Sequence, residues 1–131
     1  MRAIDTNVLV GLIVRDDKRQ VQAAEFFVEK GAWVSHVTLV ETVWVLTSVY
    51  GLNADKVALA IEMLMNHQQI ALQDLEVVAG ALDLFKRTAK ADFSDCLILV
   101  TAQRNGHVPL GTFDRALGAV DGAERLELKR G

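Results

Sequence analysis

The stretch RAIDTNVLVGLIV, residues 2–14, passes from an apolar run through three polar residues into a second apolar run. Met1–Ile4 predicts a short buried strand, and Val8–Val14 predicts a helix. Between them lie Asp5, Thr6 and Asn7. The short side chains of these residue types accept hydrogen bonds from the first N–H groups of a helix. The stretch therefore predicts a strand, a tight junction at Asp5, and a helix.

The same alternation of strands and helices continues along the chain. Further strands are predicted at Trp33–Ser35, Ile70–Leu72, Val108–Gly111 and Leu126–Leu128. Further helices are predicted at Gln20–Lys30, Thr38–Tyr50, Asp55–Asn66, Asp74–Ala89 and Asp95–Asn105, with a short helical turn at Asp114–Leu117. Short connections between alternating elements are typical of a mostly parallel central sheet covered by helices on both faces. We therefore predict an α/β fold, a three-layer α/β/α domain.

Composition narrows the class of protein. The 131 residues, 51% of them hydrophobic, suit a single domain with its own core. Cys96 is the one cysteine, which excludes an intrachain disulfide and fits a reducing compartment. No apolar run approaches the roughly 20 residues of a membrane span, and no leader peptide is recognisable. We expect a soluble cytoplasmic protein whose net charge of −3 argues against a broad basic surface for nucleic acid.

Three of four candidate acidic residues are placed where the predicted sheet would bind a ligand. Asp5 follows the first strand, Glu41 lies in the first turn of the helix after the second, and Asp114 directly follows the fourth. Ligands of open parallel sheets bind beyond the carboxyl ends of the strands. Asp95 joins the other three if its helix begins at that edge. We therefore expect the four carboxylates to converge.

Each of these acids also has a local explanation. Glu41 has the spacing of a capping box with Thr38, Asp95 suits the first turn of a helix capped by Ser94, and Asp114 is able to cap the turn that follows it. Capping does not require the acids to converge, whereas a metal site does.

Converging carboxylates imply a cation. Two carboxylates about 4 Å apart repel by roughly 4 kcal/mol at an effective dielectric constant of 20, so a cluster takes up protons or binds cations. Oxygen ligands without clustered His or Cys favour Mg²⁺ or Mn²⁺ over zinc. Because such an ion generates hydroxide and stabilises charge on a phosphoryl group, the predicted chemistry is metal-assisted phosphodiester hydrolysis.

Four stretches together resemble a known family. They are AIDTNVLV (3–10), TLVETVWVL (38–46), DFSDCLILVTAQRNG (92–106) and LGTFDRAL (110–117). In this order they resemble the PIN-domain ribonucleases, most closely the VapC toxins of bacterial toxin–antitoxin pairs. The resemblance spans nearly the whole chain and implies a single PIN-like domain over residues 1–131. It also implies an endoribonuclease dependent on Mg²⁺ or Mn²⁺, a homodimer, and inhibition by a VapB-like antitoxin protein.

The resemblance assigns roles to individual residues. Asp5, Glu41, Asp95 and Asp114 correspond to the catalytic acidic quartet of the family, with Asp5, Asp95 and Asp114 as metal ligands. Asn7 and Thr112 match polar positions that orient those acids or the water around the metal. Asp92 offers a competing alignment, but Asp95 is preferred because DCLILVTA continues as the helix of the family does. No acid is missing, so we expect a competent site.

Two further features bear on partners. The helix over VTLVETVWVLTSVYGL is apolar on nearly all its faces, which favours burial against a second chain; a central helix of a monomer is the alternative. Among the arginines, Arg115 is the leading candidate for a phosphate contact because it adjoins Asp114. The neutralising segment of the antitoxin is expected to be basic, with an arginine that enters the acidic pocket.

Rival classes lack a required residue. A phosphatase of the haloacid-dehalogenase type needs a second Asp two residues after the first, and Asn7 occupies that position. A response-regulator receiver needs a lysine at the late junction that here reads GTFDR. The remaining alternatives are a PIN-like binding or scaffold module without catalysis and a DNA-directed metal-dependent nuclease.

Overall fold

The computed structural model describes residues 1–88 and 90–129, which contain seven helices and five short strands. The strands are β1 (Arg2–Ala3), β2 (Ala32–Val34), β3 (Ile70–Leu72), β4 (Leu110–Thr112) and β5 (Ala123–Arg125). The helices are α1 (Thr6–Val14), α2 (Lys18–Val28), α3 (His36–Ser48), α4 (Ala54–Met65), α5 (Leu75–Arg87), α6 (Phe93–Arg104) and α7 (Arg115–Gly118). The chain forms two compact units, which we call the first unit, residues 1–75, and the second unit, from residue 76 onward.

The first unit contains a parallel three-stranded sheet in the order β1, β2, β3. Arg2 pairs with Ala32 and Val34 pairs with Leu72, so the carboxyl ends of the three strands lie at one edge. The helices between the strands supply the core. Leu9 of α1 and Leu46 of α3 are fully buried, as parallel strands joined by crossover helices require.

The second unit contains a parallel pair, β4 and β5, in which Leu110 pairs with Ala123. Helix α6 buries Phe93, Leu97 and Val100, which follow the i, i+4, i+7 spacing of one helix face. Phe93 packs edge-to-face on Phe85 of α5, with the ring centroids 5.9 Å apart. The α/β class and the parallel pairing predicted from the sequence are confirmed in the strands of both units.

The predicted last strand, Leu126–Leu128, is wrong, because the strand is β5, over Ala123–Arg125. Gly122, with φ +95°, turns the chain so that the residues directly after it pair with β4. The Leu126 N–H makes the last hydrogen bond of this pairing, to the Thr112 carbonyl at 2.7 Å. The alternating leucines that suggested a strand therefore follow it, and Leu128 is exposed.

Five helices (α1, α2, α3, α4 and α6) begin one or two residues earlier than predicted, and in α3 and α6 the difference changes the capping residue. Helix α3 is capped by Ser35, whose hydroxyl accepts from the Thr38 N–H at 3.1 Å, so the predicted Thr38–Glu41 capping box is wrong. Helix α6 is capped by Asp92 rather than Ser94, and Asp95 is its third residue. The predicted end of α5 at Ala89 lies outside the described residues. Within the described residues, no helix has the length and apolar character needed to cross a bilayer.

Candidate functional site

Asp5 is the N-cap of α1. Its backbone is extended, and its Oδ1 accepts a hydrogen bond from the Val8 N–H at 3.2 Å. The local explanation of Asp5 as a helix cap is therefore confirmed. A carboxylate has a second oxygen with its own lone pairs, and Asp5 is exposed to solvent. Capping α1 thus leaves this residue able to bind a ligand.

Glu41 lies in the second turn of α3, because that helix begins at His36. Its Oε2 accepts a hydrogen bond from the Thr6 hydroxyl, with 2.7 Å between the two oxygens. Thr6 is the first residue of α1, so the bond joins the start of one helix to the side of another. The Glu41 side chain is therefore held by a tertiary contact rather than by capping its own helix.

Asp5 and Glu41 share one cleft of the first unit. It has a volume of about 480 Å³ and is lined by Asp5, Thr6, Asn7, Glu41, Trp44 and Val45, and we call it the acidic cleft. Asp5 follows β1, and α3 follows β2, the neighbouring parallel strand. The carboxyl ends of such strands share one edge of the sheet, where ligands of α/β proteins bind. The structure therefore brings together Asp5, Asn7 and Glu41 of the predicted site.

The first turn of α3 is fixed by the end of β3. The His36 N–H donates to the Gln73 side-chain oxygen at 2.9 Å, and His36 Nε2 lies 2.8 Å from the Gln73 carbonyl oxygen. The Gln73 N–H in turn donates to the carbonyl of Val34, the last residue of β2. These bonds tie α3 to the sheet edge and so set the direction in which it carries Glu41.

In the second unit, Asp95 adjoins the capping carboxylate of Asp92. Asp92 Oδ1 accepts from the Asp95 N–H at 3.0 Å and from the Ser94 hydroxyl at 2.8 Å. Asp92, and not the predicted Ser94, is therefore the cap of α6, and an acid followed three residues later by another acid has the spacing of a capped helix start. Asp92 therefore has a definite structural role, and it lies close enough to Asp95 to affect its ionisation.

Asp114 is the N-cap of the short helix α7. Its Oδ2 accepts from the Leu117 N–H at 2.7 Å, which confirms that it caps this turn. The Asp114 N–H donates to the Thr112 hydroxyl oxygen at 3.0 Å. Thr112, at the end of β4, thus holds the backbone of Asp114, a contact of the kind expected from a residue that orients the acid.

The acids of the second unit interact electrostatically. The pKa of the Asp95 carboxyl is raised from 3.8 to about 6, first because burial penalises its charged form. The nearby carboxylates of Asp92 and Asp114 raise it as well. Burial is also the main cause that raises the pKa of the Cys96 thiol to about 11, so this cysteine is protonated and unreactive at neutral pH. A cation near Asp95 would favour its ionised form.

Each unit offers carboxylate donors of the kind that a hard divalent cation binds. Asp5 in the first unit, and Asp95 and Asp114 in the second, present carboxylate oxygens, the ligands that Mg²⁺ and Mn²⁺ prefer. Within the described residues of either unit, no three His, Cys, Asp or Glu side chains are grouped closely enough to hold a metal ion. The convergence of all four acids stays a prediction.

Sequence reasoning missed the role of Thr6. Thr6 belongs to the polar junction after the first strand, and no local spacing relates it to Glu41, 35 residues away. Arg115 is placed as the first residue of α7, exposed and next to Asp114. The sequence thus identified the positions of the acids but not the hydroxyl that holds one of them.

Comparison with known proteins identifies the family. The sequence profile of the PIN domain family matches residues 3–123, most of the chain. No curated protein and no solved structure matches the chain. PIN domains are α/β proteins and are typically metal-dependent nucleases, that is, hydrolases. The predicted PIN-like fold is therefore confirmed, and the chain belongs to the PIN domain family.

Proposed function

We propose that this chain is a metal-dependent endoribonuclease that acts as the toxin of a toxin–antitoxin pair. The family supplies the coarser activity, a metal-dependent nuclease. The observation that carries the proposal is the acidic cleft, where Asp5 and Glu41 follow neighbouring parallel strands and Glu41 is held by Thr6. A carboxylate kept in place at the exposed edge of a sheet is arranged for chemistry rather than for helix capping.

The proposed metal ligands are those that the family resemblance implies, and the role of Glu41 is proposed from its contact with Thr6. Asp5, Asp95 and Asp114 would hold Mg²⁺ or Mn²⁺ through carboxylate oxygens. Such an ion, when bound, activates a water and stabilises charge on the phosphoryl group. Glu41 would accept a proton from a water at Oε1, since its other oxygen, Oε2, accepts from the Thr6 hydroxyl.

The supporting roles are proposed on similar grounds. Asn7 lines the acidic cleft beside Asp5 and orients the water or the acid there. Thr112 fixes Asp114 through the backbone N–H of that residue.

Cleavage of total cellular RNA by the purified chain tests the activity. The reaction is run with Mg²⁺, Mn²⁺ or EDTA, for the wild type and for Asp5→Asn and Asp95→Asn. Asp55→Asn is the matched control, because Asp55 is an exposed acid in the first turn of α4. We expect discrete fragments that require metal, persist in the control, and are lost in both site variants.

Two results would redirect the proposal. Cleavage of DNA with no cleavage of RNA would make the chain a DNA-directed nuclease. A folded, metal-loaded protein that cleaves neither would be a PIN-like binding or scaffold module, in which Asp5 and Asp114 serve as helix caps.

The toxin role is proposed from the resemblance to VapC proteins and implies an antitoxin. The acidic cleft suits a basic neutralising segment, with an arginine directed at Asp5 and Glu41. Expression of the wild type should arrest bacterial growth, whereas Asp5→Asn should not. A structure of the complex in which the partner leaves Asp5, Glu41, Asp95 and Asp114 open to solvent would contradict this mode of inhibition.

A homodimer is proposed from the exposed face of α3. Val37 and Trp44 are 70% and 66% exposed, and their spacing of seven places them on one face of α3. Sedimentation should show a dimer that Val37→Lys weakens. Val108→Lys, at an exposed apolar residue of the second unit, is the control and should leave the dimer intact. A wild-type monomer at micromolar concentration would refute the proposal.

A further inference from the structure

A cleft of the second unit collects positive charge beside Asp114. It has a volume of about 660 Å³ and lies along the C-terminal end of α5, the residues that follow it, and α7. Its charged lining consists of Arg87, Lys90, Arg115 and Asp114. We call this the basic cleft. Three cations against one carboxylate are a local reversal of sign in a chain whose net charge is −3.

The cations of the basic cleft are only partly neutralised within the protein. Arg87 donates through Nε to Asp83 at 3.1 Å, and the two terminal nitrogens of its guanidinium are not used in that bond. Lys90 and Arg115 form no ion pair with a described residue and are exposed. Cations held without partners beside an acid are suited to an anionic ligand that is larger than a single carboxylate.

The uncharged residues that line the basic cleft limit the kind of ligand that it can bind. They are aliphatic or small, namely Leu84, Thr88, Ala116, Ala119 and Val120. Among the described lining residues none is aromatic, so the cleft offers no platform for stacking a base. Recognition there depends on charge, which reads the phosphates of a strand and not its sequence.

We propose that the basic cleft binds the phosphodiester backbone of the nucleic-acid substrate, next to the bond that is cut. The inference rests on the proposed function, because Asp114 is both a lining residue of the cleft and a proposed metal ligand. Arg115 directly follows Asp114 in the chain, so a phosphate that Arg115 contacts would lie close to that acid. The cleft therefore positions the strand beside Asp114 and contributes affinity that is independent of sequence.

Binding measured without cleavage tests this inference. Fluorescence anisotropy of a labelled single-stranded RNA of about 12 nucleotides is recorded in EDTA, as a function of salt, with a DNA oligonucleotide of the same sequence in parallel. The variants are Arg115→Gln, Lys90→Gln and the triple variant with Arg87→Gln. The control is Lys56→Gln, an exposed lysine on α4 of the first unit.

The expected change follows from counterion release. Each phosphate contact contributes about 0.7 to the slope of log K against log salt for a single strand. Extrapolated from 1 M, that slope corresponds to a roughly eightfold loss of affinity per contact at about 50 mM salt. The triple variant should reduce the slope by about 2, equally for RNA and DNA, whereas Lys56→Gln should leave it unchanged.

The outcomes separate this inference from the proposed function. A smaller slope of log K against log salt in the triple variant supports phosphate binding by the basic cleft, even if the wild type shows no metal-dependent cleavage. An unchanged slope in the triple variant, with metal-dependent cleavage intact in the wild type, overturns the cleft and leaves the nuclease standing. A loss limited to RNA would contradict recognition of phosphate charge, and an equal loss in Lys56→Gln would show a general effect of protein charge.

Discussion

Replacing Thr6 by Val isolates the hydroxyl that holds Glu41. Valine keeps the branched shape of threonine, so the substitution removes the 2.7 Å hydrogen bond to Glu41 Oε2 with little change in packing. The Asp5 cap of α1 uses the Val8 N–H and does not involve the Thr6 hydroxyl. The variant therefore changes the restraint on Glu41 while both acids of the cleft stay in place.

The magnitude follows from the exposure of the pair. A hydrogen bond to a charged group contributes about 1.5–3 kcal/mol, but water replaces part of it at an exposed carboxylate such as Glu41. We expect a loss of about 1 kcal/mol in transition-state stabilisation, which corresponds to roughly fivefold slower cleavage. If Glu41 acts on the reacting atoms, kcat falls and KM is unchanged.

Steady-state cleavage of a defined RNA substrate measures this effect. Thr6→Ser restores the hydroxyl and should recover most of the rate. Thr47→Val, on the same helix as Glu41, is the matched control, because the Thr47 hydroxyl donates to the Val43 carbonyl within α3. Wild-type kcat in Thr6→Val, together with an inactive Glu41→Gln, would show that the hydroxyl does not matter and would refute the reasoning.

Three further predictions concern stability. The Thr42 hydroxyl is buried without a partner among the described residues, so Thr42→Val should stabilise the fold by about 1 kcal/mol and raise Tm by roughly 3–5 °C; a lower Tm would contradict this. The pKa of Asp95 is raised in the fold, so its contribution to stability is present below pH 4 and is lost as pH rises through about 6. Between those pH values, the free energy of unfolding in urea should therefore fall by about 1–2 kcal/mol less in metal-free Asp95→Asn than in the metal-free wild type. An equal fall in the two proteins would disprove the pKa shift of Asp95. Gly118→Ala would place a Cβ 2.6 Å from the Arg125 Cβ, so it should destabilise the protein by about 1–3 kcal/mol, measured by its denaturation midpoint.

Much of the fold was predictable because it rests on local patterns. The polar junction at Asp5 marks the change from β1 to α1, and a glycine or a capping residue marks most of the other ends. The predicted position of the last strand is wrong because Leu126 and Leu128 alternate as strand residues do, whereas pairing with β4 selects Ala123–Arg125 after the turn at Gly122. Pairing is a long-range choice that periodicity does not contain.

The site was predictable to a similar degree and for similar reasons. Strand ends place Asp5 and Asp114 at junctions that the sequence marks by itself. The bond from Thr6 to Glu41 depends on how α1 packs against α3, and the basic cleft depends on how α5 and α7 approach each other. Neither contact follows from spacing along the chain, so both required the structure.

Mn²⁺ binding tests the central claim most directly. It is measured by titration calorimetry and by the electron paramagnetic resonance signal of the free ion. It asks whether the predicted acids hold a divalent cation, independently of any substrate. We predict saturable binding to the wild type and to Asp55→Asn, and affinity at least tenfold weaker in both Asp5→Asn and Asp95→Asn. Equal affinity in all four proteins, or no binding by the folded wild type, would contradict the account.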